Sequence, residues 1–219
     1  MRLSTLAPVT IWSEAAVVER LDRLATQPQA SGVFGFAGHR FGRFPPLSRA
    51  QVRAVEVTHR FDLPEDYRTF VTEIENGGAG PGYGIFPLGR WGDSAGDTKP
   101  WLNNWGDPSQ PFPHEDRWNL EPGDLVPPDT LTQEDADAWF EVKDAQYFDV
   151  ALVNGTIPIA HLGCAMWVRL VVSGPRRGEV WLDDRASDQG IFPLTPATFD
   201  AWYLAWLSDA EGCVIADHP

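Results

Sequence analysis

The sequence predicts an α+β fold, and three observations predict it. Apolar residues recur at helical spacing in three stretches of the first 76 residues. Between residues 156 and 194 the chain turns to short apolar runs bounded by Gly, Pro and Asp, the mark of strands. A helix with a wide aromatic face then closes the chain. Helices, then strands, then a helix suit an α+β layer arrangement better than a repeating βαβ fold.

The first helix is expected over residues 13–26. Val17, Val18, Leu21 and Leu24 recur at spacings of 3 or 4, Ser13 suits the N-cap, and Pro28 ends the run. Residues 28–47, rich in Gly, Pro and Phe, are expected to be irregular. Ser48 and Gln51 form a capping-box pair that starts a second helix, with Val52, Val55 and His59 or Phe61 inward. Pro64 suits the first turn of a third helix, where Glu65 and Asp66 complement the dipole. Tyr67, Phe70, Val71 and Ile74 form its stripe, and Asn76-Gly77-Gly78 stops it. A short strand is expected at Tyr83–Leu88.

Residues 89–131 differ from everything around them. They hold 7 of the 19 prolines, 4 of the 10 tryptophans, 8 acids and 3 bases, with no helical or strand period. So long a structureless stretch is unusual in a compact domain, and its tryptophans imply that it packs onto something. Thr132 with Asp135 caps a helix over about 133–145, with Ala136, Trp139 and Phe140 expected inward.

Strands follow at Thr156–Leu162, Ala165–Val172 and Glu179–Asp184, the last two joined as a hairpin through residues 173–178. Gly190–Leu194 is a last short strand. Thr195-Pro196 is expected to cap the closing helix, with Phe199, Trp202, Tyr203, Trp206 and Leu207 on one face and Gly212 at its end. One short repeat stands out: Gly84-Ile85-Phe86-Pro87-Leu88 recurs as Gly190-Ile191-Phe192-Pro193-Leu194. Its expected meaning is geometric, a short strand ended by Pro at a sheet edge or bulge.

The chain has 219 residues, 31 acidic and 17 basic, with a formal net charge of −14. That length suits one large domain, or one domain with extensions. Residues 1–60 are net +4, residues 61–160 net −14 and residues 161–219 net −4. The acidity therefore belongs to the middle of the chain. It argues against nucleic acid and anionic membrane as partners, because phosphates would be repelled. There is no apolar run of transmembrane length, and Met1–Thr10 lacks the apolar core of a secretory signal. The two cysteines, Cys164 and Cys213, make no disulfide framework. A cytoplasmic protein with reduced thiols is expected.

Residues capable of chemistry are few. The run from Asn76 to Gly84 is Gly-rich, but a helix precedes it and a strand follows, so no helix N-terminus faces a phosphate. It is expected to be a structural turn. His161 and Cys164, spaced H-x-x-C, lack the further ligands of a structural zinc site. A hydrogen-bonded core histidine and a small buried cysteine are expected there. His114-Glu115-Asp116, Asp135/Asp137 and Asp183-Asp184 offer carboxylates, but such residues are usually solvated. No G-x-S-x-G elbow is present. No enzymatic activity, cofactor or metal is expected. The interleaved tryptophans and acids of residues 91–118 could form a recognition surface, or a loop pinned over the core.

The run Leu63-Pro-Glu-Asp-Tyr-Arg-Thr-Phe-Val-Thr-Glu-Ile-Glu-Asn76-Gly-Gly-Ala-Gly-Pro-Gly-Tyr-Gly-Ile-Phe-Pro-Leu88 resembles the opening signature of the SUKH superfamily. Ile157–Cys164, Met166-Trp167, Gly174, Gly178, Val180-Trp181 and Asp183 are similar to its central strands, and Phe199–Leu207 to its closing helix. The resemblance spans most of residues 61–210 and implies one mostly antiparallel sheet packed by helices. It places a SUKH-like domain at 61–212, an N-terminal helical extension at 1–60 and a Trp/Pro-rich insertion at 89–131. It implies no catalysis. Bacterial members typically act as immunity proteins that block a toxin of the same lineage, often a nuclease or deaminase. Others, like a yeast regulator of cell-wall synthesis, act as signalling hubs. The family's glycines and tryptophans correspond to Gly77, Gly78, Gly82, Trp167 and Trp181, which are expected to be structural.

The expectation that follows is an immunity protein, monomeric or a small homo-oligomer, that occludes a basic, nucleic-acid-acting toxin. Trp91, Trp101, Trp105 and Trp118 would anchor the partner, while Asp93, Asp97, Asp107, Glu115 and Asp116 mimic phosphates. The alternatives are a regulatory or scaffold protein of the same fold, and an enzyme or ligand binder using His161 and Cys164.

Overall fold

The computed structural model describes residues 13–101, 105–121 and 132–216. Its centre is a four-stranded antiparallel sheet in sequence order: β3 (Thr156–His161), β4 (Trp167–Val171), β5 (Glu179–Asp184) and β6 (Gly190–Thr198). A separate two-stranded hairpin, β1 (Arg90–Ser94) with β2 (Asp97–Pro100), precedes it in the chain. The helices are α1 (Glu14–Ala25), the single turn α2 (Phe36–His39), α3 (Arg49–His59), α4 (Glu65–Thr69), α5 (Gln133–Tyr147) and α6 (Phe199–Ala216). The α+β class stands, and the expected single sheet is a main sheet plus a hairpin.

Alternation along the strands gives the sheet two different faces. Val168, Leu170, Val180 and Leu182 point into the larger core, which also takes in Val17, Leu21, Val52, Tyr67, Phe70 and Tyr203. This core thus combines residues from both sides of position 60. Its centre is aromatic: Phe199 lies 4.7 Å from Tyr67 and 5.0 Å from Phe70 in edge-to-face contact. On the opposite face Val171, Trp181 and Ile191 form a smaller core with Phe112 and Val153. The segment after residue 105 covers this face, together with Leu152 and Val153 of the 3-10 turn Val150–Val153.

The N-terminal helices form where their sequence signals lie. Ser48 and Gln51 complete the capping box of α3. Pro64 is the N-cap of α4, one position before its expected place, and the last turn, Phe70–Ile74, widens to a π-helix. Ser13 caps α1 in position, but its hydroxyl makes no capping bond. Arg20 grips Glu211 of α6 through two bonds, of 3.0 and 2.8 Å, and so ties the first helix to the last.

The repeated pentapeptide marks the two edges of the sheet. Ile85 bridges Ala160 of β3 on one side and Gly78 on the other. Ile191 pairs with Asp183 of β5 on one side and with Trp118 on the other. Each Ile is thus a fully buried rung between the sheet and one added single-bridge strand. Each preceding glycine has a left-handed φ, +97° at Gly84 and +77° at Gly190. A Cβ there would collide with the carbonyl oxygen of Gly78 or Trp118, the neighbours that close the edges. The strand expected at Tyr83–Leu88 is this bridge and not a ladder.

Other expectations are corrected. The stretch 89–131 contains the hairpin β1–β2. Thr195-Pro196 lies inside β6 instead of capping α6, and α6 runs through Gly212 to Ala216. In α5 only Tyr147 is buried, and Phe140, expected inward, is 44% exposed. Cys164, expected buried, is exposed in the β3–β4 turn.

Candidate functional site

The tryptophans and acids expected to act together separate. The tryptophans turn inward and the acids face out. Trp91, Trp105 and Trp167 pack as a trio, with ring centroids 4.4, 4.7 and 5.6 Å apart. The ring of Trp167 also lies 4.4 Å from His161. Trp101 packs edge-on to His59 at 5.1 Å, and its Nε1–H donates to the Arg90 carbonyl. Trp118 pairs with Ile191 through two backbone bonds of 2.8 Å, and its ring stacks between His114 and Tyr147. All four insertion tryptophans are half-buried. They hold the insertion down.

Asp93, Asp97, Asp107, Glu115 and Asp116 are all exposed. The Asp107 carboxylate accepts from the hydroxyl and amide of Ser109, which hold it below the usual carboxylate range. Asp116 lies 3.9 Å from Arg176 with its side chain 96% exposed, a contact of negligible strength. These acids contribute little to the fold and remain available to a partner.

What fixes the insertion from beneath is a buried ionic cluster that the sequence reading missed. Asp183 was expected to be solvated; its side chain is 5% exposed. It accepts from Arg169 Nε at 3.0 Å and, in bidentate fashion, from Arg185 Nε at 2.7 Å and Nη2 at 2.9 Å. Burial pushes its carboxyl up, but hydrogen bonds and charge from the two arginines outweigh this and hold it below the usual range. The arginines use their remaining donors on the cover. Arg169 reaches the Trp105 carbonyl at 3.4 Å and lies 5.4 Å from that ring. Arg185 reaches the carbonyls of Tyr147, the last residue of α5, at 2.9 Å and of Asp149 at 3.3 Å. The available signal was an arginine inside an apolar strand, Trp167–Val171. In the β4–β5 register Arg169 opposes Trp181, which puts Asp183 diagonally across on the same face.

Gly77, Gly78 and Gly82 all have left-handed φ, and Trp181 is fully buried at the centre of the second core. His114 is buried and bonds the Leu152 carbonyl at 2.8 Å, while its neighbours Glu115 and Asp116 are exposed. His161 is buried, with Nδ1 3.4 Å from the Asp93 carbonyl. Among the described residues no three His, Cys, Asp or Glu side chains are grouped to hold a metal ion. No described helix is long and apolar enough to cross a membrane. A cleft of about 550 Å³ opens between the end of α3 and the insertion, lined by Arg60, Trp101, Trp105, Asp107, Val150 and Pro158.

The surface is therefore an acidic cover clamped to one face of a sheet. No protein-family model, curated protein or solved structure matches the chain.

Proposed function

We propose that the chain is a binding protein of the immunity type, similar to SUKH proteins, that neutralises a basic protein toxin by occluding it. One observation carries the proposal: the acids of residues 89–121 face solvent while the tryptophans between them serve the fold. Stability does not require those carboxylates to be there. Their charge belongs to the segment of residues 61–160, which is net −14. Such a field steers a cationic partner and disfavours nucleic acid and anionic membrane.

The toxin class that fits is one whose own site is basic, such as an enzyme acting on nucleic acid. Exposed carboxylates would occupy the sites where phosphates bind. The half-buried tryptophans of the insertion support this acidic cover from inside.

The test is co-expression with the product of each neighbouring gene, among which the proposal expects a basic toxin. Cells carrying both genes are expected to survive induction that kills cells carrying the neighbour alone. Equal killing in both strains would refute the proposal.

A further inference from the structure

We infer that the partner is gripped by one face of α5, formed by Asp137, Phe140, Glu141, Asp144 and the C-cap residue Phe148. The segment it accepts is basic, with apolar side chains between its Lys and Arg residues. The inference rests on the reading of this chain as a binder of a basic protein, and adds where the apolar anchors lie.

With about 3.6 residues per turn, positions 137, 140, 141, 144 and 148 fall on one side of the helix. Ala136, Trp139, Lys143 and Tyr147 form the inner stripe, and each is buried or half-buried. The outer five are all exposed, Phe140 by 44% and Phe148 by 48%. An interface needs apolar anchors as well as charge. The insertion tryptophans do not meet that need, because they pack among themselves and against the sheet. Phe140 and Phe148 do, with three carboxylates beside them.

The C-terminal end of the site is tied down from within. Buried Arg185 donates to the carbonyls on either side of Phe148, those of Tyr147 and Asp149, and its guanidinium lies 5.7 Å from the Phe148 ring. Asp183 in turn fixes Arg185. A buried ion cluster is a poor way to gain stability alone. Here it holds an exposed aromatic in one place, so little ordering entropy remains to be lost on binding.

Charge selects the occupant. A second copy of the chain would set three carboxylates against three. The one lysine of α5, Lys143, belongs to the inner stripe, where it lies over Trp139 at 5.6 Å. A Lys- and Arg-bearing segment satisfies both the carboxylates and the phenylalanines.

The experiment pans a phage library of random linear peptides against the full chain. Three variants serve alongside it: D137K/E141K/D144K, F140S/F148S, and V142S as a control elsewhere on the helix. Circular dichroism verifies that each is folded. Enriched peptides are expected to combine Lys or Arg with aromatic or aliphatic residues. They should bind the first two variants about tenfold or more weakly and V142S as tightly as wild type. No enrichment, enrichment of neutral or acidic peptides, or equal binding to all variants would overturn the inference. The same variants in the co-expression assay separate the two ideas. If both α5 variants still protect, the α5 site fails and the immunity reading stands. If peptides bind α5 but wild type does not protect, the reverse holds.

Discussion

Asn in place of Asp183 keeps the side-chain shape and removes the only negative charge shown touching the guanidiniums of Arg169 and Arg185. The side chains of Arg169, Asp183 and Arg185 are 3, 5 and 7% exposed, so water cannot replace what is lost. Three charge-assisted bonds of 2.7–3.0 Å are weakened at once. Breaking a buried pair by removing one partner costs about 3–5 kcal/mol. That is a large part of the ~5–15 kcal/mol that holds a typical domain folded. Urea unfolding of D183N at pH 7, followed by circular dichroism, should show that loss with an unchanged m-value. The pH dependence gives a second reading. A carboxyl whose folded pKa is depressed stabilises above the unfolded Asp value of about 3.9, and that stability is lost as pH falls through the folded value. The wild-type and D183N curves should therefore converge in acid. Asp184 is the contrast, because its buried Oδ1 has no hydrogen-bond partner among the described residues, and D184N should change stability by under about 1 kcal/mol. A D183N loss below about 1 kcal/mol, or curves that stay parallel into acid, would refute the clasp.

Three further predictions follow from single environments. Gly84→Ala and Gly190→Ala should each cost about 1–3 kcal/mol from the left-handed backbone alone, and more from the carbonyl each Cβ meets; equal stability in urea would contradict the edge geometry. His39 is buried, its Nδ1 accepts from the Phe41 amide, and burial lowers its pKa to about 4. Stability should fall by up to about 3 kcal/mol as pH drops from 6.5 to 4, and an NMR titration of the His39 ring with a midpoint near 6.5 would exclude this. Glu75 is fully buried beside the Tyr203 hydroxyl, and burial pushes its carboxyl well up. The stability it contributes is present at low pH and lost as pH rises through the folded value. Glu75→Gln should therefore flatten the alkaline side of the stability profile, and an unchanged profile would contradict it.

The sequence revealed most of the architecture where periodicity or caps spoke. The capping box at Ser48, the stripe of Tyr67, Phe70, Val71 and Ile74, and the order of the four main strands all appear in the fold. The largest failures have two causes: strands whose composition hides them, and pairing between distant segments. Hairpin β1–β2 reads as loop because Arg90–Ser94 and Asp97–Pro100 are polar and hold Gly, Asp and Pro, residues that strands avoid. The repeated pentapeptide was visible, but not that its isoleucines close opposite edges through Gly78 and Trp118. The ionic clasp needs Arg169, Asp183 and Arg185 to meet across β4 and β5, and an aspartate pair alone suggests a solvated turn. As for the candidate surface, the exposed acids were legible from charge. The part the tryptophans play in the fold was not legible, because a Trp-rich segment looks the same whether it anchors a partner or covers a sheet.

The most direct test of the account is a titration of the purified chain against the basic toxin that the account expects a neighbouring gene to encode, with that toxin's own activity as the readout. The account predicts activity abolished at a 1:1 ratio, with association slowing steeply as salt rises. Full activity in the presence of excess chain would contradict it.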